Sequence, residues 1–490
     1  MLIVGAGLSG IGAGCHLETS CPDKTYVILE ARPATGGTWD LFRYPGVRAD
    51  SDMYTLGYAF RPWSDAGAIA DGPSILRYVR ETASEYGVDE KIRFNHRVVH
   101  AQWSTADARW TVKAERSETG ETVRMTCGFL FMCSGYYNYE SGYTPDFPGV
   151  DRFKGRVVHP QRWTDDVDYE GKRVVVIGSG ATAVTLVPAM AETAAHVTML
   201  QRSPSYVISL PGEDPVATLA RRFLPARLAY SVVRWKNVLI TMLVFELSRR
   251  RPHVMKALIR KGLEQRLPPA YDIDTHFKPR YNPWDQRLCL VPDGDLFEAI
   301  CDGRASIATD RIETFTETGL RLASGAELEA DLVVTATGLN LVPLGGVQLN
   351  VDGRDVEIPK TMGYKGMMLS GVPNMAVAIG YTNASWTLKC DLTCQFVCRL
   401  LNHMDARGYR QCTPQNRDPS ITEEPFIDFT SGYVLRAIDK FPRQGSRPPW
   451  RLYQNHARDL LAIRFGKLED EALVFSSPAP DAVPADALAA

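Results

Sequence analysis

Hydrophobic and polar positions along the chain change period several times, and the changes outline alternating strands and helices. LIVGAGLSG opens the sequence as a short apolar strand running into a glycine turn, with a helix following through Cys15 and Leu17. YVILE predicts a second strand that ends at Glu30. RWTVKAE, Arg109 to Glu115, alternates apolar and polar residues and predicts part of a small antiparallel sheet. FLFMCSG and DLVVTATG read as buried strands ending in small residues, where a backbone can approach a ligand or a domain can hinge. RVVVIGSGATAV repeats the strand–turn–helix pattern, and HVTMLQRS supplies its next strand. From Pro211 to about Pro269 the period is helical.

That helical stretch holds an apolar run of eight residues, VLITMLVF (Val238 to Phe245), which by itself is too short to cross a bilayer. Arg249, Arg250 and Arg251 come next, with Lys256, Arg260 and Lys261 close behind. The stretch predicts a helical insertion capping a site, with an interfacial membrane contact as the second reading. SSPAPDAVPADALAA at the end predicts a disordered tail.

The two glycine turns lead to strands with different endings. In the first, Gly5 permits a tight turn, Gly7 lets the backbone approach a pyrophosphate and Gly10 allows close helix–strand packing. The helix N-terminus at Ser9 supplies free N–H donors, and Glu30 is placed to hold a ribose hydroxyl. In the second, Gly178, Ser179 and Gly180 form the turn, Ala181 and Thr182 begin the helix, and Ala183 stands for the third glycine. Its second strand ends in Gln201, Arg202 and Ser203 rather than in an acid. A ribose 2′-phosphate would be repelled by a carboxylate there and attracted by Arg202. The pair predicts FAD at the first loop and NADPH at the second.

The fold class is therefore α/β, with two Rossmann-like dinucleotide-binding domains and a helical insertion. The expected division gives residues 1–140 to the first part of the FAD domain and 141–211 to the first part of the NADPH domain. The insertion takes 212–275, the second part of the NADPH domain 276–328, the second part of the FAD domain with the C-terminal region 329–475, and the tail 476–490.

Composition narrows the partners. Lys+Arg 55 against Asp+Glu 57 leaves no basic excess, which argues against nucleic acid. The first residues lack the basic region of a signal peptide, so a cytoplasmic protein is expected. The ten cysteines contain no CxxC or CxxxxC pair, so a redox-active dithiol beside the flavin, as in a disulfide reductase, is not indicated. Cys390, Cys394 and Cys398 fall four apart on one predicted helix face, where buried packing accounts for them better than a metal.

One segment between the two nucleotide loops, FKGRVVHPQRWTDD, places Phe153, Gly155, His159 and Trp163 in a spaced set. It resembles the fingerprint FxGxxxHxxxW of the type I Baeyer–Villiger monooxygenases. GGTWDLFRYPGVRADSDMYTLGYAF, CSGYYNY, YNPWDQRLCLVP and KGMMLSGVPNMAVAIGYTNASWTLK are similar to the ethionamide-activating, FAD-containing subgroup of that family. The resemblance spans nearly the whole chain. Two positions depart from the pattern: Thr164 stands where the family usually has Pro, and Gln286 where many members have Lys.

The resemblance implies that NADPH reduces FAD, that O₂ adds to the reduced flavin as a C4a-peroxide, and that the peroxide converts ketones to esters or lactones. It implies sulfur oxygenation in thioethers or thioamides by the same flavin. Arg287 matches the active-site arginine and Asp50 the acid that pairs with it, while Gly37, Thr38, Trp39, Arg48 and Val98 fall at cofactor-binding positions. His159 and its neighbours would sit in the interdomain linker and couple domain rotation to cofactor handling. A flavin monooxygenase acting mainly on sulfur or nitrogen, and a non-oxygenating NADPH–flavin protein, are the alternatives.

Overall fold

The computed structural model describes residues 1–65, 67–286 and 288–477. Its first five-stranded sheet runs, edge to edge, Met375–Val377, Leu130–Met132, Leu2–Val4, Val27–Leu29 and Ile92–Arg93, all parallel. The strands are short and almost wholly apolar because both faces of a parallel sheet are covered. Helix α1 (Leu8–Ser20) comes directly after the first strand. A second five-stranded sheet adds Arg109–Arg116 between His96–Ser104 and Thr122–Cys127, both antiparallel to it. Trp110, Val112 and Ala114 point into the core there, so the alternation in the sequence reads out one buried face.

A third sheet of five strands, also wholly parallel, runs Ala305–Thr309, His196–Gln201, Arg173–Ile177, Leu332–Thr335 and Arg156–Val158. Helix α2 (Ala181–Met190) leaves its central strand. Leu332–Thr335 is the DLVVTATG strand, and it hydrogen-bonds to Arg173–Ile177. It therefore lies in the second nucleotide domain, and a boundary at 328/329 falls too early. An apolar run shows that a strand is buried between two layers, but not which sheet it joins. Two strands, Tyr137–Gly142 and Leu339–Leu341, pair antiparallel where the chain passes between the domains.

The parallel pair Val207–Leu210 and Cys289–Pro292 brackets the helical insertion. It contains α3 (Pro215–Phe223), α4 (Ala226–Arg250) and α5 (Pro252–Glu264). The apolar run is part of the 25-residue α4, which by length and composition could cross a membrane. The run alone understated this, because Arg234 and Lys236 interrupt it toward the N-terminus. A last long helix, α6 (Trp386–Arg407), packs against α1 and buries Cys390, Cys394 and Cys398. Leu473–Ser476 pairs with Gln411–Pro414, so residue 476 ends a strand. The rest of the expected tail, from 478, lies outside the described residues.

Candidate active site between two nucleotide loops

At the first loop the protein's own backbone dictates two glycines. Gly5 has φ +102, and a Cβ on it would lie 2.7 Å from the carbonyl oxygen of Cys133. A Cβ on Gly10 would lie 1.9 Å from the carbonyl oxygen of Gly5, so only glycine lets α1 begin against the turn. Gly7 is different, since a Cβ on it would find its nearest neighbour, the Cα of Gly37, 3.5 Å away. Two glycines thus face each other across a bare strip of backbone. Gly7 also caps α1 without a side-chain hydrogen bond, which leaves the first N–H groups of the helix open to an anion. Ser9, beside them, is buried and accepts from Trp386 Nε1 at 2.7 Å.

Glu30 is 5% exposed, with Oε2 accepting from Ala6 N at 2.6 Å and Oε1 from Arg32 N at 2.9 Å. Burial raises its pKa and the two backbone donors oppose that. Each oxygen keeps a lone pair for a ribose hydroxyl. Arg32 Nε is buried with no hydrogen-bond partner among the described residues. Together with the uncapped helix and the Gly7–Gly37 strip, this orphaned donor fits the adenosine and pyrophosphate of FAD. Thr38 Oγ1 lies 3.0 Å from the hydroxyl of Tyr139, and Trp39 packs against the cores of both nucleotide domains. Val98 packs into the hydrophobic core, so a ligand can reach only its main chain.

Sequence reasoning missed the anchor of this corner. Asp40 is 4% exposed and receives Arg32, Arg80 and Arg43. Nothing in GGTWD itself announces such a hub, because only Arg43 is a near neighbour, three residues on, and Arg32 and Arg80 come from other segments. Arg32 had one available signal, its place two residues after Glu30.

The second loop has the same skeleton and an open surface. Gly178 has φ +141, and a Cβ there would meet the carbonyl oxygen of Ala336 at 2.3 Å. A Cβ on Gly180 would meet nothing within 4 Å, and Gly180 caps α2 with no side-chain hydrogen bond. Ala183 is buried against the sheet. Ser179 Oγ donates to Ser203 O at 3.1 Å, tying the turn to the end of the second strand. Gln201 is consumed internally, donating to His276 O and Thr309 Oγ1 at 2.8 Å each. Arg202 and Ser203 are exposed, and Arg202 forms no ion pair among the described residues. That combination, a lone cation beyond an uncapped helix, fits the 2′-phosphate of NADPH.

Between the loops, the Tyr44–Asp50 segment links the domains. A Cβ on Gly46 would lie 2.6 Å from Ala189 Cβ on α2, so the turn sits directly on the second domain. Thr182 hydrogen-bonds Tyr44, whose pKa burial pushes up to about 12. Arg48 forms an ion pair with Asp295 of the second domain, with Nη2 at 3.4 Å from Oδ1. It therefore serves as an interdomain strut in this structure. Asp50, next along, is exposed. Asp52 caps the adjoining short helix through Thr55 N at 3.0 Å and accepts from Asn237 of α4 at 2.9 Å.

Arg287 lies outside the described residues. The loop leading to it is held by α4: Arg249 meets Asp285 at 3.0 Å and Phe245 packs on Trp284 with ring centroids 5.6 Å apart. Trp284 has φ +69, a left-handed conformation that costs a bulky residue energy and is held by these contacts. The one helix α4 thus grips both the Asp50 segment and the NPWDQ segment.

The fingerprint residues are packing and linker residues in the structure. Phe153 is buried against Phe315, and a Cβ on Gly155 would lie 2.5 Å from the Phe153 ring. His159 Nε2 lies 3.1 Å from Gly338 O and its Nδ1 accepts from Gln161 N at 3.2 Å, so the neutral ring with hydrogen on Nε2 satisfies both. A Cβ on Gly142 would lie 1.9 Å from His159 Cε1, so the imidazole lies flat on both interdomain strands. Trp163 packs on Tyr169.

Comparison with known proteins agrees with this layout. A family model described as flavin-binding monooxygenase-like matches residues 67–343, and one described as an NAD(P)-binding Rossmann-like domain matches residues 3–65. The chain is 56% identical over 482 residues to the FAD-containing monooxygenase EthA of Mycobacterium tuberculosis (strain ATCC 25618 / H37Rv), covering 98% of each. It is 54% identical over 477 residues to EthA of Mycolicibacterium smegmatis, covering 97% of this chain and 96% of that one. Among solved structures, an oxidized steroid monooxygenase bound to NADP superposes with a TM-score of 0.76 at 23% identity, over 97% of this chain and 99% of that one. At that identity the likeness establishes a shared fold.

Proposed function

Since the chain belongs to the flavin-binding monooxygenase-like family, we propose that it is a Baeyer–Villiger monooxygenase. It is an FAD-containing enzyme that takes electrons from NADPH and one oxygen atom from O₂, and its substrate is a small molecule. The proposed reaction inserts that atom beside the carbonyl of a ketone to give an ester or lactone, the second oxygen leaving as water. The same flavin would place an oxygen atom on sulfur in thioethers or thioamides. We place the reaction in the cytoplasm.

The observation that carries this reading is the pair of unlike nucleotide sites. Each glycine loop opens onto an uncapped helix, one backed by the buried Glu30 and the other by the exposed Arg202, which has no ion pair among the described residues. Bound flavin supplies the oxygen chemistry, and the chain supplies binding, orientation and charge. Glu30 holds the flavin's ribose, and the α1 N-terminus holds its pyrophosphate. Arg202 and Ser203 select the 2′-phosphate. Arg287 carries a charge that persists at every working pH and would stabilise negative charge on oxygen, with Asp50 as its partner. His159 stiffens the two interdomain strands so that the domains turn as units.

Incubation with NADPH, ¹⁸O₂ and a panel of ketones and thioethers, with products read by mass spectrometry, tests the proposal. One ¹⁸O per ester or sulfoxide is expected. Products from thioethers and none from any ketone would transfer the reading to sulfur oxygenation. NADPH oxidation whose oxygen is all recovered as hydrogen peroxide would overturn it.

A further inference from the structure

The helix that grips the site from one side has an outer side with a different character. Residues 215–245 contain no Asp or Glu, and their cations are Arg221, Arg222, Arg227, Arg234 and Lys236. Arg234 and Lys236 turn inward. Arg234 donates to the main-chain carbonyls of Tyr54 and Gly57 at 2.7 Å each, and Lys236 meets Asp214 at 2.5 Å. Arg222 and Arg227 are exposed and form no ion pair among the described residues.

Around them the apolar side chains point outward. Phe223 is 72% exposed, Leu243 68%, Leu219 60%, Leu239 56%, Leu228 51% and Trp235 41%. Leu228, Trp235, Leu239 and Leu243 are spaced at helical intervals and form one stripe along α4. A soluble helix puts such a stripe inward, yet here the inward side is already taken by Ala229, Tyr230, Val233 and Val238. A contiguous apolar surface of this kind marks a place where something else docks.

We propose that α3 and α4 form a membrane-docking surface that rests in the headgroup layer of an anionic bilayer. The leucines, Phe223 and Trp235 enter the acyl boundary, and Arg222 and Arg227 meet lipid phosphates. Charge separates this occupant from a second copy of the chain. A two-fold contact would set Arg222 and Arg227, with no acid in residues 215–245 to meet them, against the same cations of the copy, while Glu246, one turn beyond Leu243 on α4, is already paired with Arg250. Anchoring separates it from a spanning helix. To cross the bilayer α4 would have to release Arg234 from Tyr54 and Gly57, Asn237 from Asp52 and Arg249 from Asp285, and leave those polar groups in hydrocarbon.

Flotation of the full-length holoenzyme with vesicles tests this. The protein is expected to float with phosphatidylglycerol-containing vesicles at low salt, much less at high salt, and weakly with pure phosphatidylcholine. Leu239→Glu with Leu243→Glu should lower the bound fraction by about tenfold or more. Arg222→Ala and Arg227→Ala should each lower it roughly fivefold, on anionic vesicles only. Flavin content and NADPH oxidation in solution should stay at the parent's level in every variant, which shows that the fold is kept. Failure of the parent to float at low salt, or equal flotation of the leucine variant, would overturn the proposal. So would a parent that sediments as a dimer, ignores vesicles and becomes a monomer on Leu239→Glu.

Discussion

The two nucleotide domains share one plan and differ in how completely the protein satisfies it. In the first, the acid that ends the second strand is inside: Glu30 accepts two backbone N–H groups, and Asp40 behind it collects three arginines. In the second, the matching strand ends in a cation that is outside, and Gly180, Arg202 and Ser203 face solvent. A prosthetic group that stays bound can be met by a buried, preassembled polar network whose desolvation is settled when the protein folds. A coenzyme that comes and goes in each cycle is better met by a surface cation that remains hydrated until the ligand arrives. The contrast is one of depth: the same turn-and-helix plan sets a buried acceptor at one loop and a solvent-facing cation at the other.

The largest effect should come from removing the acid of the buried site. Glu30→Ala leaves the N–H groups of Ala6 and Arg32 without acceptors, at about 1–3 kcal/mol each. The variant should purify with little flavin and unfold at lower denaturant. Flavin absorbance and a denaturant midpoint measure both. A variant with full flavin and an unchanged midpoint would erase the distinction between the two domains.

Arg287 tests whether chemistry can be separated from both binding sites. Arg287→Ala should retain FAD and consume NADPH, yet lose oxygenated product by a factor on the order of 10²–10³ and release hydrogen peroxide. Lys should rescue poorly, because a point charge lacks the planar fork that can serve two partners. Asp50→Ala should impair the same step, and the double variant should lose less than the two single losses combined. Product yield per NADPH decides the outcome, and parental yield in Arg287→Ala would sink the assignment.

Much of this arrangement was legible in the sequence, and the exceptions share a cause. Gly5, Gly10 and Gly178 could be read because local backbone geometry forces them, and Glu30 because its offset from the loop is set by one βαβ unit. Arg48 reads as a cofactor position, and its ion pair with Asp295 could not be read beside it, since that partner lies in another domain. The DLVVTATG strand read as part of the first domain for the same reason: its neighbour is chosen by topology. The inward anchors of α4, Arg234 and Asn237, carried no local signal at all, and Asp40 only its neighbour Arg43. What depends on sequence-distant partners has to be seen.

At the exposed site the expected effect is smaller. Arg202→Ala removes one charge-assisted contact worth about 1.5–3 kcal/mol, so NADPH should bind roughly 10- to 100-fold more weakly. NADH affinity and flavin content should hold steady, the reverse of the Glu30→Ala pattern. Titration of each coenzyme against the oxidised enzyme measures this. Equal losses for NADPH and NADH would remove the 2′-phosphate from the account.

The smallest effect belongs to the seam between the two domains. Burial lowers the pKa of His159, the Gly338 carbonyl opposes that and Arg162 adds to it. The neutral ring donates from Nε2 and accepts at Nδ1, so a second proton would confront the N–H of Gln161. The unfolded chain protonates at the ordinary value of 6.5, before the folded one does. Stability from this group is therefore present above 6.5 and is lost as pH falls through 6.5 toward the folded pKa, by at most about 1.4 kcal/mol per pH unit. His276 and His456 are lowered by burial too, the latter to about 4, so the parent's acid loss is a sum. His159→Gln keeps a donor and an acceptor without a titratable proton and should remove only its own share. Denaturant midpoints of both proteins between pH 7.5 and roughly 5 should converge as pH falls, the parent being favoured at the upper end. A constant difference across that range would show that the imidazole does not titrate against the interdomain strands.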